Sequence, residues 1–342
     1  MIKSICIVRL SALGDVLMIV PLIRTLQACL PDTQLTWIIS RPAYDLVEGM
    51  DGVEFIVIDK PKNLADFWKF KKQMSSRSFD ILLAPQASFR TNLLYPLIKA
   101  HRKIGYDALR AKDAHGWFVK ERIKPGLDHT LDGFLKFAEP LGISEKIISW
   151  DLPVNAADYE WAENHLPKQG PILVVNPAAS KPERSWLVDR YIDVLRQARE
   201  QWQAQIVLTG GPGEYDKFLA DQILQEIPAT NLVGKTKPKQ LLAVISKATA
   251  VLCPDTGPSH MSAAVNTPVI ALHAVTNPLV SGPYVFPHLV VDKYPEAVKK
   301  VLGLTMEEHV WGTHVHGDDA MKLISVDDVM QKLAEVFENT SK

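Results

Sequence analysis

The stretch AVLCPDTGPSHMSAAVNTPVIALHAVTNP, residues 250–278, decides the fold. Residues 250–254 are a short apolar run suited to a fully buried parallel strand, and PVIALHA (268–274) is a second. Between them DTGPSH (255–260) is turn chemistry. Asp255 and Thr256 can cap a helix, Gly257 lets backbone come close to a ligand, and Pro258 suits a first helical turn. SHMSAAV (259–265) reads as a helix of small residues able to lie close to a sheet. A polar loop at a strand's carboxyl end, opening a helix, is where open α/β sheets bind ligands. Its N–H groups and positive dipole end favour an anion such as a diphosphate. Plain capping by Asp255 and Thr256 explains the same residues, so the stretch alone leaves both readings open.

Outward from this unit the chain alternates strands and helices. Residues 4–10, 34–40, 54–59 and 79–85 are β-branched apolar runs, separated by helical stretches at 16–30, 42–49, 63–77 and 90–100. The alternation breaks near 150–170. It restarts with strands at 171–178, 204–211 and 231–234 and helices at 187–202, 214–226 and 238–247. Short strands spaced by helices predict α/β, doubly wound parallel sheets with right-handed crossovers. The expected architecture is two Rossmann-like domains facing each other across a cleft. They would span 1–160 and 161–324, followed by a C-terminal helical segment at 325–342, capped by Ser325 with Asp328 three residues on. No internal repeat is evident.

Length and composition agree with that plan. At 342 residues the chain is long for one core. Its 47% hydrophobic and 23% charged content is that of a soluble globular protein. Cys6, Cys29 and Cys253 sit in apolar surroundings without metal-ligand spacing, which points to buried thiols in a reducing compartment. The opening MIKSICIVRL leads directly into a strand, as expected of a protein without a signal peptide. Residues 256–291 carry no Asp, Glu, Lys or Arg, yet their five prolines exclude a membrane-spanning helix. They read as a buried floor beneath a site. The net charge of −1 hides an asymmetry: residues 60–124 hold fifteen Lys and Arg against five acids. Solvated helix faces explain most such runs, but an excess this one-sided suits an anionic partner.

Three loops carry candidate chemistry. RLSALGD (9–15) leaves the first strand, and Asp15 is either a helix cap or a carboxylate base able to take one hydroxyl proton. It is not a GxGxxG fingerprint, and no acid closes the second strand in IISRPAY, which argues against a nicotinamide-dependent dehydrogenase. NPAASKPERSW (176–186) offers Ser180, Lys181 and Arg184 beside a helix start, a phosphate-binding composition. TGGPGEYD (209–216), with Gly210 and Gly211, is a generic turn alone and a nucleotide cradle beside the other two. His260 could reach a phosphate or serve the core. No P-loop and no metal-ligand cluster is present, so neither a metal nor another cofactor is expected.

IVRLSALGDVLMIVPLIRTL, NPAASKPERSW, VLTGGPGE and CPDTGPSHMSAA…TPVIALHAVTNP together resemble glycosyltransferase family 9, the ADP-heptose:lipopolysaccharide heptosyltransferases, over nearly the whole chain. The resemblance implies a GT-B fold, with acceptor on the N-terminal domain and nucleotide-sugar on the C-terminal one. It also implies inversion without a required metal. Carried over residue by residue, Asp15 matches the catalytic base. Asp255, Thr256, Gly257 and His260 match the donor turn, and Ser180, Lys181 and Arg184 match the hydroxyl-and-cation loop. Two departures stand out: Lys181 precedes Arg184 where the family commonly has Arg then Lys, and HAVTNP has Ala274 where glycine is frequent.

The activity so implied is single-displacement transfer of heptose from ADP-heptose to an inner-core hydroxyl, with Asp15 as base and diphosphate leaving. The expected partners are an anionic lipid A–core acceptor and the inner membrane face, met from the cytoplasm, and no nucleic acid. Lys69, Lys72, Arg90, Lys120, Arg122 and His129 are the acceptor-side candidates. Two alternatives remain: a family-9 transferase using another nucleotide-sugar, and a non-catalytic protein that binds an anionic ligand.

Overall fold

The computed structural model describes residues 2–317 and 319–340, and the chain divides into two units between Pro153 and Val154. The first unit runs β1 (Ser4–Val8), α1 (Leu13–Cys29), β2 (Gln34–Ser40), α2 (Arg41–Val47), β3 (Val53–Ile58), α3 (Leu64–Met74), β4 (Phe79–Ala84), α4 (Phe89–Asn92), β5 (Ala100–Gly105), α5 (His115–Phe118), β6 (Glu121–Arg122) and α6 (Thr130–Leu135). The second runs α7 (Ala156–His165), β7 (Ile172–Val175), α8 (Val188–Trp202), β8 (Gln205–Leu208), α9 (Glu214–Glu226), β9 (Thr230–Asn231), α10 (Pro238–Ser246), β10 (Ala250–Pro254), α11 (Gly257–Ala264), β11 (Val269–His273), α12 (Pro278–Ser281), β12 (Val291–Asp292), α13 (Tyr294–Ala297) and α14 (Val326–Thr340).

Among the described residues each unit holds one six-stranded sheet, ordered β3-β2-β1-β4-β5-β6 and β12-β11-β10-β7-β8-β9. Every pairing is parallel. Counted from its own first strand, each sheet has the same order. The two units therefore repeat a topology that the sequence does not show as a repeat. Parallel strands need both faces covered, which is why β1, β7, β10 and β11 are almost wholly buried apolar runs. In this strand order the chain reverses direction between β1 and β4, and between β7 and β10. The crevice at such a switch point opens at the strands' carboxyl ends. It brings the loop after β1 beside the loop after β4, and the loop after β7 beside the loop after β10.

Several expectations need correction. The helix expected over 90–100 is a single turn, α4, followed by a short 3₁₀ turn, and residue 100 already begins β5. β5 reads AHRKIG, so it lacks the apolar run that marks a strand. Its place is set by pairing with β4, and its polar side chains find partners across the chain: Arg102 with Glu121, and Lys103 with the Tyr95 carbonyl. The two-residue strands β6 and β12 were equally invisible. The boundary falls at 153/154, ahead of the expected 160/161, because α7 packs on α10 of the second unit. The tail is part of that unit's core: Val329 and Leu333 are fully buried, and Phe337 stacks on Trp202 with centroids 4.9 Å apart. Ser325 and Asp328 do form the expected reciprocal cap, while residues 341 and 342 of that segment lie outside the described residues. Cys6 and Cys253 are buried, but Cys29, at the end of α1, is partly exposed and donates to Glu145.

Candidate functional site

At the carboxyl edge of the first sheet the loop after β1 is strapped down from two sides. Leu10 N–H donates to Gln86 Oε1 (2.7 Å), and Ser40 Oγ donates to the Leu10 carbonyl. Arg9 leaves β1 with its guanidinium nearly buried. Nη1 donates to the Pro85 carbonyl (2.7 Å), the charge sits 5.2 Å from the Phe134 ring centroid, and Nη2 pairs with Asp15 Oδ2. Asp15 is the third helical residue of α1, so it is not the N-cap. That position is Ala12, whose N–H donates to the same Asp15 oxygen (3.0 Å). Both structural contacts therefore fall on Oδ2. Oδ1 belongs to a side chain 30% exposed and makes no bond to any described residue. A carboxylate anchored through one oxygen and open at the other can accept a proton in a defined direction. Arg9 was not anticipated. Its only signal is a lone cation ending an otherwise apolar strand.

Two cavities open beside this loop, both within the first unit. The larger, about 620 Å³, is lined by Ser11, Ala12, Ser40, Lys60, Lys62 and Asp66, among others. The smaller, about 220 Å³, is lined by Leu10, Lys60, Gln86, Ser88, Phe89 and Arg90, among others. Of the six acceptor-side candidates, Arg90 lines one of these two cavities, and Lys60, shared by both, was missed. Lys69 and Lys72 are exposed on α3. That helix begins at the larger cavity with the Asn63–Asp66 capping box and runs away from it, leaving Lys72 about 9 Å farther along the axis than Asp66. Lys120 is exposed just before β6. Arg122 lies over Gly116, where a side chain would collide with its guanidinium. His129 is the N-cap of α6, its Nδ1 accepting from Leu131 N–H (3.1 Å), which gives it a structural task. Beside Arg122, His115 is buried and neutral. Its Nδ1–H faces Asn92 Oδ1 (2.7 Å), its Nε2 accepts from Tyr106 N–H (3.1 Å), and burial, then Arg122, push its pKa down to about 4.

At the carboxyl edge of the second sheet the expected capping does not occur. Thr256 holds the N-cap position of α11, but its hydroxyl donates back to the Pro254 carbonyl (3.1 Å), and the side chain leaves the helix N–H groups uncapped. Asp255 turns instead to Arg184, whose Nη2 reaches Oδ2 (2.9 Å) and also the Asp255 carbonyl, and it accepts from Ser281 Oγ (3.1 Å). Burial alone would raise the Asp255 pKa. The fields of His273, Arg184 and His260 and a bond from Thr276 outweigh it and hold the carboxyl below its ordinary value. His260 is buried beside this carboxylate. Ser180 and Lys181 are exposed at the loop's tip. Arg184 Nε, His273 Nε2 and Asn277 Nδ2 are buried polar atoms without partners among the described residues, which is uncommon in a folded interior. Ser281, His273 and Asn277 were missed as individual residues, although the uncharged run 256–291 had marked their region.

The glycine loop after β8 is arranged differently from a phosphate cradle. Gly211 N–H donates to Asp216 Oδ1 (2.7 Å), and a side chain at Gly210 would approach that oxygen to 3.0 Å. A carboxylate so close disfavours a phosphate against these two glycines. Among the described residues no cluster of three or more His, Cys, Asp or Glu could hold a metal, and no helix is long and apolar enough to cross a membrane.

With this geometry in place, residues 67–310 match the family described as Glycosyltransferase family 9 (heptosyltransferase). The lipopolysaccharide core heptosyltransferase OpsX of Haemophilus influenzae is 34% identical over 98% of this chain and 97% of its own. The chain belongs to glycosyltransferase family 9. Lipopolysaccharide heptosyltransferase 3 of Escherichia coli is 27% identical over 79% of this chain and 82% of its own. Among solved structures, a family 9 glycosyl transferase from Veillonella parvula superposes with a TM-score of 0.82 at 19% identity, covering 98% of both chains. Heptosyltransferase II of Escherichia coli superposes with a TM-score of 0.75 at 18% identity, covering 99% of this chain and all of the other. The fold of this heptosyltransferase is thus GT-B. The family match starts after Asp15 and ends before residue 311, so the β1 loop and the segment around residue 315 lie beyond it.

Proposed function

We propose that this heptosyltransferase moves a heptose from ADP-heptose to a hydroxyl of the lipopolysaccharide inner core by one displacement with inversion, and that Asp15 is its base. The core heptosyltransferase matched end to end supports the substrate class. The observation that carries the mechanism is the one-sided anchoring of Asp15, with Oδ2 held by Arg9 and Ala12 N–H and Oδ1 open. As the acceptor oxygen attacks the anomeric carbon, its proton passes to Oδ1, and the bond to the diphosphate breaks on the opposite face. Charge gathers on the departing diphosphate. Lys181, Arg184 and the uncapped start of α11 are the groups that offset it, a task that side-chain cations and helix N–H groups perform without a metal.

The acceptor half of this reading rests on the first unit, with Lys60, Lys62 and Arg90 around its cavities. Exposed Leu64 (88%) and Trp68 (69%), one turn apart on α3 among lysines, suit contact with an anionic membrane face. The test is to incubate the protein with ADP-heptose and a lipid A–core acceptor lacking heptose, then determine the new linkage by NMR. An anomeric configuration opposite to the donor's is expected. Retained configuration would overturn the single displacement, and no transfer would overturn the substrate assignment.

A further inference from the structure

We infer that His314 is a diphosphate-binding residue of the donor site, and that it takes up a proton when the donor binds. The inference rests on the reading of the second unit's carboxyl edge as the donor side. Residues 313–316 form a strap along that edge. Tyr294 Oη donates to the Thr313 carbonyl (2.6 Å), Val315 N–H donates to the Val275 carbonyl (2.8 Å), and the Val315 side chain is fully buried. Val315 is buried while His314 and His316 on either side of it are exposed, with ring centroids 5.8 Å apart, so the two histidines share the outer side. That side faces the 181–184 loop: His316 Nδ1 lies 2.7 Å from Glu183 Oε1.

The charged groups around His314 are Arg184, His316, Asp255 and Lys181. Asp255 is engaged by Arg184 and Ser281, with His273 and His260 adding to the field upon it, and Glu183 is engaged by His316. Arg184 and His316 are thus each paired with a carboxylate, and Lys181 is the cation near His314 that no ion pair among the described residues engages. Desolvation first, then Arg184, His316 and Lys181, lower the His314 pKa against the opposing field of Asp255, and the lowering favours the neutral ring in the ligand-free protein. A diphosphate between Lys181 and Arg184 opposes the field of these cations and favours the imidazolium. His316 has a different task. Paired with Glu183, it keeps that carboxylate from facing the phosphates. Both histidines lie beyond residue 310, where the family match ends.

The test is calorimetric titration of the full chain with ADP-heptose in the absence of acceptor, in buffers of differing protonation enthalpy, from about pH 8.5 to about pH 5.5. The donor's two phosphate groups are diesters of a diphosphate and keep their charge over this range. Wild-type protein should take up a fraction of a proton on binding and bind about tenfold more tightly at the acid end, the strength of one charge-assisted contact. His314→Gln should abolish the uptake and flatten the pH profile. His316→Gln should keep the uptake but weaken binding throughout by exposing Glu183. No uptake in the wild type, or unchanged uptake in His314→Gln, overturns the inference. Wild-type affinity in both Lys181→Ala and Arg184→Ala would overturn the donor-side reading itself, and the inference with it.

Discussion

Replacing Asp15 with asparagine separates catalysis from stability. The side chain keeps one carbonyl oxygen, so Ala12 N–H retains an acceptor, but the ion pair with Arg9 is lost. Arg9 is only 11% exposed and keeps the Pro85 carbonyl and the Phe134 ring, while Asp15 is 30% exposed. Losing a half-solvated charged partner costs about 1–2 kcal/mol, below the value for a fully buried pair. For a unit of this size that lowers Tm by roughly 2–8 °C. Losing the base should lower kcat by roughly two to four powers of ten, with ADP affinity unchanged. Arg9→Met is the companion variant. It removes the same ion pair and should lower Tm by as much or more, yet it keeps the carboxylate, so turnover should fall far less. Melting curves, ADP titration and steady-state transfer rates on both variants decide the matter. Turnover in Asp15→Asn within about threefold of wild type would refute the base assignment. If Arg9→Met were as inactive as Asp15→Asn, the held geometry, and not proton acceptance alone, would set the rate.

Two other predictions concern charge. Lys181→Ala and Arg184→Ala should each weaken ADP binding roughly 10- to 150-fold, and Arg184→Ala should also lower Tm because it strands the buried Asp255 carboxylate. Lys72→Ala and Arg122→Ala should leave ADP binding intact and at most raise the acceptor KM, an effect that fades with salt; calorimetry and kinetics at two salt concentrations distinguish these outcomes, and lost ADP affinity in the second pair would reverse the assignment of donor and acceptor units. His115 predicts an acid weakness of the first unit. Its pKa is depressed from 6.5 to about 4, so its contribution to stability is present above the unfolded value and is lost as pH falls through that window, roughly 3 kcal/mol in all. Urea unfolding from about pH 7 to about pH 4 should show a clearly shallower pH dependence in His115→Gln than in wild type, and equal slopes would show that His115 does not carry the effect.

Much of the fold was legible because burial leaves a local imprint. A strand covered on both faces must be apolar along its whole length, and a helix must repeat its apolar face. Residues 250–254 and 214–226 therefore declared themselves with the boundaries the structure shows. The capping of the last helix by Ser325 and Asp328 was equally local, three residues apart. The loops with site chemistry were legible too, because a parallel sheet puts the end of every strand on one edge. Strand β5 was not, since its polar residues are accommodated by partners that local sequence does not reveal.

What only the tertiary structure decided was the partner of each charged group in those loops. Asp255 lies next to Thr256 in a turn that invites capping, yet its carboxylate is taken by Arg184, 71 residues away. Gly211 reads as an open cradle until Asp216 is seen bonded to its N–H. Arg9, which directs Asp15, is itself held by a carbonyl 76 residues on. His314 belongs to no recognised motif and comes within the field of Arg184 on a strap whose Val315 N–H is anchored to the Val275 carbonyl, just past β11. Apolar burial is a property of one side chain and its spacing. An ion pair depends on distance between two, and that distance is set by which strands become neighbours when the sheet assembles.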